Sequence, residues 1–294
     1  MKQIVCFGEV LWDVFPQGKK IGGAPLNVSL RALSEGYNVK LISAIGNDAD
    51  GEELKIKMKG YSFNTSHVQI HPDLETSSVV VTLDQEGSAS YEIKEPCAWD
   101  AIAYNQEDAE LVKSSEAFIF GSLVNRSEVS RTTLSKLLQV APFKVFDVNL
   151  RFPHYDMDNL VALMKQSDFI KFNDDEIHLI CDAFGKKFDN VKECITFISE
   201  LTATQKICVT LGEKGALLYI DGTFYRNHGY KVKVADTVGA GDSFLSCIIS
   251  QILKEVPYQK ALNYSCAVSA LIASKEGANP FISKQEIDDM LKVN

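Results

Sequence analysis

The sequence is poor in basic residues for its size. Across 294 residues, 30 Lys and Arg stand against 39 Asp and Glu, a net charge of −9. That balance gives a nucleic-acid backbone or an anionic lipid surface little to hold. No apolar run reaches the roughly 20 residues that a membrane-spanning helix needs. The opening MKQIVCFGEV moves into a strand pattern with an internal acid, and it lacks the apolar stretch and cleavage site of a secretory leader. The seven cysteines (6, 97, 181, 194, 208, 247, 266) are odd in number and never spaced CxxC, and the five histidines are scattered. This argues against a disulfide scaffold or a zinc module and for reduced core thiols in a cytoplasmic protein. Two nucleotide fingerprints are also missing. Without GxxxxGK[ST] a P-loop kinase is disfavoured, and without GxGxxG after the first strand so is a dinucleotide oxidoreductase.

What is present is a regular alternation of strand-like runs and amphipathic helices from end to end, with no repeat and no low-complexity linker. That is the pattern of a mostly parallel α/β sheet covered by helices on both faces, and the expectation is one domain spanning 1–294. Strands are expected at Ile4 to Val10, Asn38 to Gly46, Ala117 to Gly121, Lys144 to Val148, 168 to 172 and Lys206 to Leu211, with another beginning at Gly215. A helix from Ala49 to Lys59 is expected to close on Gly60. One segment does not fit. From Thr76 to Ile93 the alternation has period two around a turn near Glu86 and Gly87, which predicts antiparallel strands. Residues 11–20 join it, giving a small antiparallel sheet over about 11–20 and 75–95 that projects from the main body.

The rest of the chain is organised around Asp236 to Phe244, DTVGAGDSF. The apolar spacing of Phe244, Leu245, Cys247, Ile248, Ile249, Ile252 and Leu253 predicts a buried helix that this glycine-rich loop opens. The amides of Gly239, Ala240 and Gly241 then lie at a helix N-terminus, where unpaired donors and the dipole favour an anion such as phosphate. Asp242 beside an anion makes sense as a base for an alcohol held against a phosphoryl group. The spacing alone leaves that role and simple helix capping equally open.

Other candidates come with similar alternatives. Asp13, just past the first strand, is either a hydroxyl acceptor or a solvated loop acid. IGGAPLN places Gly22 and Gly23 in a tight approach and Asn27 on the first helical turn, where its amide can bond a ligand or where the motif is only a helix start. In DVNLR, Asp147, Asn149 and Arg151 alternate. Arg151 can clamp a phosphate or simply pair with Asp147. Asn173 and Glu176 have capping-box spacing, as do Ser283 and Glu286.

DTVGAGDSF closely resembles the C-terminal signature of the ribokinase-like sugar kinases, also called the phosphofructokinase B family. The Gly-Gly pair with Asn27 four residues after its second glycine matches the N-terminal signature. Lys171, Asn173 and Glu176 match a Lys-x-Asn-x-x-Glu pattern, and Thr210 with Gly212 matches a Thr-x-Gly turn. The resemblance covers essentially the whole chain. It implies a ribokinase-like fold with the small sheet as a lid over the sugar, and a homodimer through that lid. It implies Gly239 to Gly241 as an anion hole with Asp242 as base, and Asp13, Gly22, Gly23 and Asn27 around the sugar. Lys171, Asn173 and Glu176 would serve the ATP phosphates and Mg²⁺. Thr210 and Gly212 would approach the nucleotide, with Asn263 near the adenine. Asp236, with Gly277 and Ala278, resembles a loop that in some members holds a monovalent cation such as K⁺. Ribokinases usually carry Gly-Gly-Lys-Gly-Ala-Asn where this chain has Gly-Gly-Ala-Pro-Leu-Asn, and an acid where it has Gly121 and Ser122. Those departures, with Arg151, look like fructokinases and 2-keto-3-deoxygluconate kinases. The expectation is a kinase for D-fructose, with the keto acid, ribose or a catalytically silent sugar sensor as alternatives.

Overall fold

The computed structural model of the protein describes residues 2–15, 18–83 and 89–292. Its strands begin with β1 (Gln3–Phe7), β2 (Leu11–Phe15), β3 (Gly18–Gly22), β4 (Asn38–Gly46), β5 (Val68–His71), β6 (Ser77–Leu83) and β7 (Ala89–Ile93). They continue with β8 (Ala117–Gly121), β9 (Lys144–Asp147), β10 (Phe169–Asn173), β11 (Lys206–Thr210), β12 (Ala216–Ile220) and β13 (Thr223–Asn227). The helices are α1 (Ala24–Ser34), α2 (Ala49–Gly60), α3 (Gln106–Lys113), α4 (Glu128–Leu138) and α5 (Met157–Lys165). Then come α6 (Asp174–Ala183), α7 (Val191–Thr202), α8 (Ala240–Leu253), α9 (Tyr258–Ala273) and α10 (Lys284–Leu291). Among the described residues no helix is long and apolar enough to cross a membrane.

Nine strands form the main sheet in the order β13-β12-β11-β10-β9-β8-β1-β4-β5. All neighbours from β5 to β11 are parallel, and β12 and β13 add an antiparallel edge. The central strands are apolar on both faces, as a sheet covered on both sides requires: Ile4, Val5, Cys6 and Phe7 of β1 are all buried. On one face Phe7, Phe118, Phe120 and Phe146 form a ladder with ring centroids 5.2–6.1 Å apart. On the other face the core is built with Leu26 of α1, Phe244 and Ile248 of α8 and Leu262 of α9. The chain runs from β1 to β4 on one side and later returns to β8 on the other. The switch point of this doubly wound sheet therefore lies at β1, where ligands gather beyond the strand ends.

The small sheet runs β3-β2-β6-β7. Its hairpins β2/β3 and β6/β7 are antiparallel, but β2 and β6 pair in parallel, from Leu11↔Ser77 to Val14↔Val80. This corrects the wholly antiparallel expectation: period-two alternation sets which face a residue takes and says nothing about the direction of a partner strand far along the chain. The turn placed near Glu86 and Gly87 lies outside the described residues. Asp48 anchors the start of this sheet. Besides capping α2 through the Gly51 amide at 2.7 Å, it accepts from the Thr76 amide and hydroxyl, both at 2.7 Å.

Smaller corrections have local causes. Gly60 is the last residue of α2 and not its terminator; Ser62, at φ 59°, takes the left-handed position. Asn149 also has positive φ, 36°, so the alternation imagined from Asp147 to Arg151 stops where β9 ends at Asp147. All seven cysteines are free and buried.

Candidate active site

Three groups of residues meet at the switch point. The first comes from β1, β2, β3 and α1. Gly22 pairs opposite Leu11, and a Cβ there would lie 2.2 Å from an Asp13 carboxylate oxygen, so the glycine makes room for Asp13. Gly23 has φ 105°, and a Cβ on it would lie 2.5 Å from the carbonyl oxygen of Glu9. This close approach brings the start of α1 onto the end of β1. Pro25 sits in the first turn of α1, and the buried Asn27 follows, its amide nitrogen bonded to the Gly23 carbonyl at 3.0 Å.

The second group is the entry to α8. Gly239 is its N-cap in the left-handed region at φ 77°. Sequence reasoning assigns the anion hole to the amides of Gly239, Ala240 and Gly241, but Ala240 donates to Thr237 O at 3.3 Å. The amides of Gly239, Gly241 and Asp242 have no acceptor among the described residues, so Asp242 takes the place of Ala240 among the free donors. Asp242 Oδ2 accepts from Asn27 Nδ2 at 2.8 Å. Burial, and then the nearby Asp147 carboxylate, push its pKa up to about 6 against the pull of Asn27, Lys171 and Arg151. Asp13 is also pushed up to about 6, by burial and by the charge of Asp242, with Arg151 opposing.

A Cβ on Gly239 would lie 2.5 Å from the backbone oxygen of Ala278. Gly239→Ala is therefore expected to displace either this loop or the loop 277–280, at a cost on the order of 2–4 kcal/mol. Titration calorimetry with ATP should show at least tenfold weaker binding; an unchanged Kd would reduce the loop to a mere helix entry.

The third group lines the carboxyl ends of β9, β10, β11 and β13 and the amino end of the antiparallel β12. Lys171 Nζ lies 3.0 Å from Asp147 Oδ1, so the Asp147–Arg151 pair allowed by the spacing is not the one formed. Burial pulls the Lys171 pKa down, yet the carboxylates of Asp147, Glu176 and Asp242 raise it overall, so it stays charged. A Cβ on Gly241 would lie 3.4 Å from this ammonium, which places it at the foot of α8. Asn173 and Glu176 form a reciprocal capping box, Asn173 Oδ1 accepting from Glu176 N at 2.7 Å and Glu176 Oε2 from Asn173 N at 2.8 Å. Glu176 Oε1 accepts from Leu150 N at 2.9 Å, so both oxygens are already engaged. Asn173 pairs with Thr210 across β10 and β11, and Gly212, at φ 56°, has open space where a Cβ would stand. Asn263 on α9 accepts from Asn227 and Gln259 at 3.0 and 2.9 Å. Asp236 accepts from the amides of Val238 and Gly277, both at 3.0 Å, tying the two loops together. Among the described residues no cluster of three His, Cys, Asp or Glu is arranged to hold a metal ion.

Arg151 is exposed, and its Nη1 bonds Leu150 O at 2.9 Å. Its charge nonetheless reaches Glu9, Asp13 and Asp242 and lowers the pKa of each. Glu9 is a member of the site that sequence reasoning missed. It is 3% exposed, one of its oxygens has no partner among the described residues, and burial above all pushes its pKa up to about 7. An acid two residues past the apolar run Ile4 to Phe7 was the available signal. Asn279, bonded to Asn27 at 2.7 Å, was missed too, and nothing local announces it.

A sheet wound to both sides of β1, with an acid at an open helix N-terminus and a second small sheet beside it, is the architecture of the ribokinase-like kinases. The profile of the pfkB family carbohydrate kinases matches residues 1–285, and the chain belongs to this family. It is a phosphotransferase with a sugar acceptor. It is 28% identical over 312 residues to the Arabidopsis thaliana protein named Probable fructokinase-6, chloroplastic, covering 96% of this chain and 80% of that one. Among solved structures it is similar to a fructokinase with bound ATP from Xylella fastidiosa (TM-score 0.84, 20% identity, 99% of this chain and 98% of that one). It is also similar to a double mutant of the Vibrio cholerae O395 fructokinase in fructose, ADP and potassium ion bound form (TM-score 0.82, 23% identity, 99% and 98%).

Proposed function

We propose that this chain is one kinase domain, 1–294, that transfers the γ-phosphoryl group of ATP to a primary hydroxyl of D-fructose. The observation that carries this reading is Asp242, with one oxygen held by Asn27, at a helix N-terminus whose amides at Gly239, Gly241 and Asp242 are open to an anion. ATP lies along the ends of β10 to β13, past Lys171, Asn173, Thr210, Gly212 and Asn263, with its γ-phosphate at the free amides. The sugar sits on the other side, against Asp13, Gly22, Gly23 and Asn27, with Arg151 at the rim. The hydroxyl oxygen forms its bond to the γ-phosphorus as the bond to the ADP oxygen breaks, and the hydroxyl proton passes to Asp242 Oδ1. In a loose transition state that proton leaves late, so positioning and charge neutralisation do most of the work.

Mg²⁺ supplies charge neutralisation on the phosphates when bound with ATP. Glu176, whose two oxygens each accept from an amide, would hold that ion through water. Asp236 and the carbonyls of the loop 277–280 it bonds are hard oxygen donors of the kind a monovalent cation takes. The small sheet acts as the lid that excludes water, a competing acceptor. Its two edge strands, β3 and β7, offer the surface for a homodimer.

The choice of sugar follows from charge. Lys94 on the lid side is paired with Glu75, and Arg126 is held by Asp100 at 2.7 Å. Arg151 alone of these three cations acts on the site acids. A neutral ketohexose suits that arrangement better than a keto acid, and the names of the curated relatives point the same way. Comparing kcat/KM for fructose, 2-keto-3-deoxygluconate and ribose should place fructose first by at least tenfold. A preference for the keto acid would overturn the choice of sugar and leave the kinase intact. Failure of every sugar to turn over would favour a silent sensor.

A further inference from the structure

Asn279 follows Gly277 and Ala278 in the loop after α9. Its Nδ2 donates to Asn27 Oδ1 at 2.7 Å, and Asn27 Nδ2 donates in turn to Asp242 Oδ2 at 2.8 Å. The loop is held at both ends. Gly277 N donates to Asp236 Oδ2 at 3.0 Å, in the entry to α8, and Pro280 O accepts from Arg31 Nη2 at 3.2 Å, one turn beyond Asn27 on α1.

We propose that Asn279 is a positioning residue for phosphoryl transfer: it fixes the orientation of the Asn27 amide, and through it the oxygen that Asp242 leaves free for the acceptor hydroxyl. This rests on the reading of Asp242 as the base. A side-chain amide presents oxygen on one side and two N–H donors on the other, and little in its shape distinguishes the two. An ionised carboxylate only accepts, so it requires the N–H side of Asn27. A protonated one can donate and is equally served by the flipped amide. Asn279 breaks that symmetry. With its own NH₂ on Asn27 Oδ1, flipping Asn27 alone would set two NH₂ groups against each other and a carbonyl against the carboxylate, and each leaves part-buried groups unpaired. The relay therefore favours ionised Asp242 and keeps Oδ2 occupied, so that Oδ1 faces the substrate.

The groups that also act on Asp242 are Asp147 on β9, Lys171 on β10, Arg151 in the loop after β9, Asp13 on β2 and Glu9 beyond β1. A change at Asn279 to an uncharged residue alters none of these charges. A displaced acid limb of the pH profile would thus report the relay itself, because Asn27 is one of the groups that hold the Asp242 pKa down.

The test is the pH dependence of kcat and KM, with fructose and ATP, for Asn279→Leu, Asn279→Ala and Asn279→Gln. Asn27→Leu, the double variant Asn27→Leu/Asn279→Leu and Asp242→Asn complete the set. For Asn279→Leu and Asn279→Ala, kcat should fall about tenfold near pH 6 and less near pH 8, with the acid limb moved to higher pH and KM for ATP within about twofold. Asn279→Gln, which keeps the donor, should recover part of the loss. The double variant should be no worse than Asn27→Leu alone, as two members of one relay require. An unmoved acid limb, or losses that multiply in the double variant, would overturn the relay while inactivity of Asp242→Asn left the base in place. Near wild-type turnover of Asp242→Asn would overturn both.

Discussion

Replacing Asp242 with asparagine is expected to lower kcat by a factor of about 10²–10⁴, the usual worth of a general base, with ATP still bound. The same change is expected to stabilise the fold. The Asp242 pKa stands at about 6 against an ordinary 3.8, so the folded protein holds this proton more tightly than the unfolded chain. The sign follows from linkage. Stability is lost as pH rises from about 4 through about 6, because ionisation is harder in the folded state, and the loss stays constant above that range. Asparagine cannot ionise and still accepts from Asn27. At pH 8 the variant should therefore be more stable by on the order of 1–2 kcal/mol, discounted for the partial exposure of the carboxylate, and the gain should vanish below about pH 4. Urea titrations at the two pH values check this, and an Asp242→Asn that is inactive but no more stable at pH 8 would show that the site exerts no strain on its acid.

Lys171→Met is expected to be strongly destabilising. It leaves Asp147 and Glu176 buried without the cation that compensates them, and breaking one side of a buried pair typically costs about 3–5 kcal/mol. The double change Lys171→Met/Asp147→Leu removes both charges and should recover most of that loss. What it should not recover is nucleotide affinity. Lys171 lies at the foot of α8, close to where a Gly241 side chain would stand, and in the proposed reading it would face the γ-phosphate there as well as Asp147. Calorimetry should find ATP at least tenfold weaker in the double variant. Wild-type affinity in a stable double variant would confine Lys171 to a structural role.

How much of this was legible in the sequence depends on the distance along the chain over which each feature is decided. The helix α8 and its opening at Gly239 were legible because glycine spacing, an acid and a following apolar period lie close together in the chain. The capping boxes at Asn173–Glu176 and Ser283–Glu286 were equally local. The parallel pairing of β2 with β6 was not, because two strands some 60 residues apart can satisfy the same alternation in either direction. The pairing of Asp147 with Lys171 needs the register of β9 on β10, and sequence proximity pointed to Arg151 instead. Ala240 was counted among the free donors because glycine-rich loops are read as open. The turn from Thr237 that occupies its amide appears only with the backbone path. The contact between Asn279 and Asn27 joins residues at opposite ends of the chain, and no local pattern encodes it.

The claim on which the rest depends is that a sugar hydroxyl, activated at Asp242, takes the γ-phosphoryl group of ATP. The most direct measurement is ³¹P NMR of a reaction containing the protein, MgATP and D-fructose. The account predicts one equivalent of a phosphomonoester on a primary carbon of the sugar for each ADP formed, with little inorganic phosphate. ADP accompanied only by inorganic phosphate, or a sugar phosphate formed at the same rate by Asp242→Asn, would contradict it.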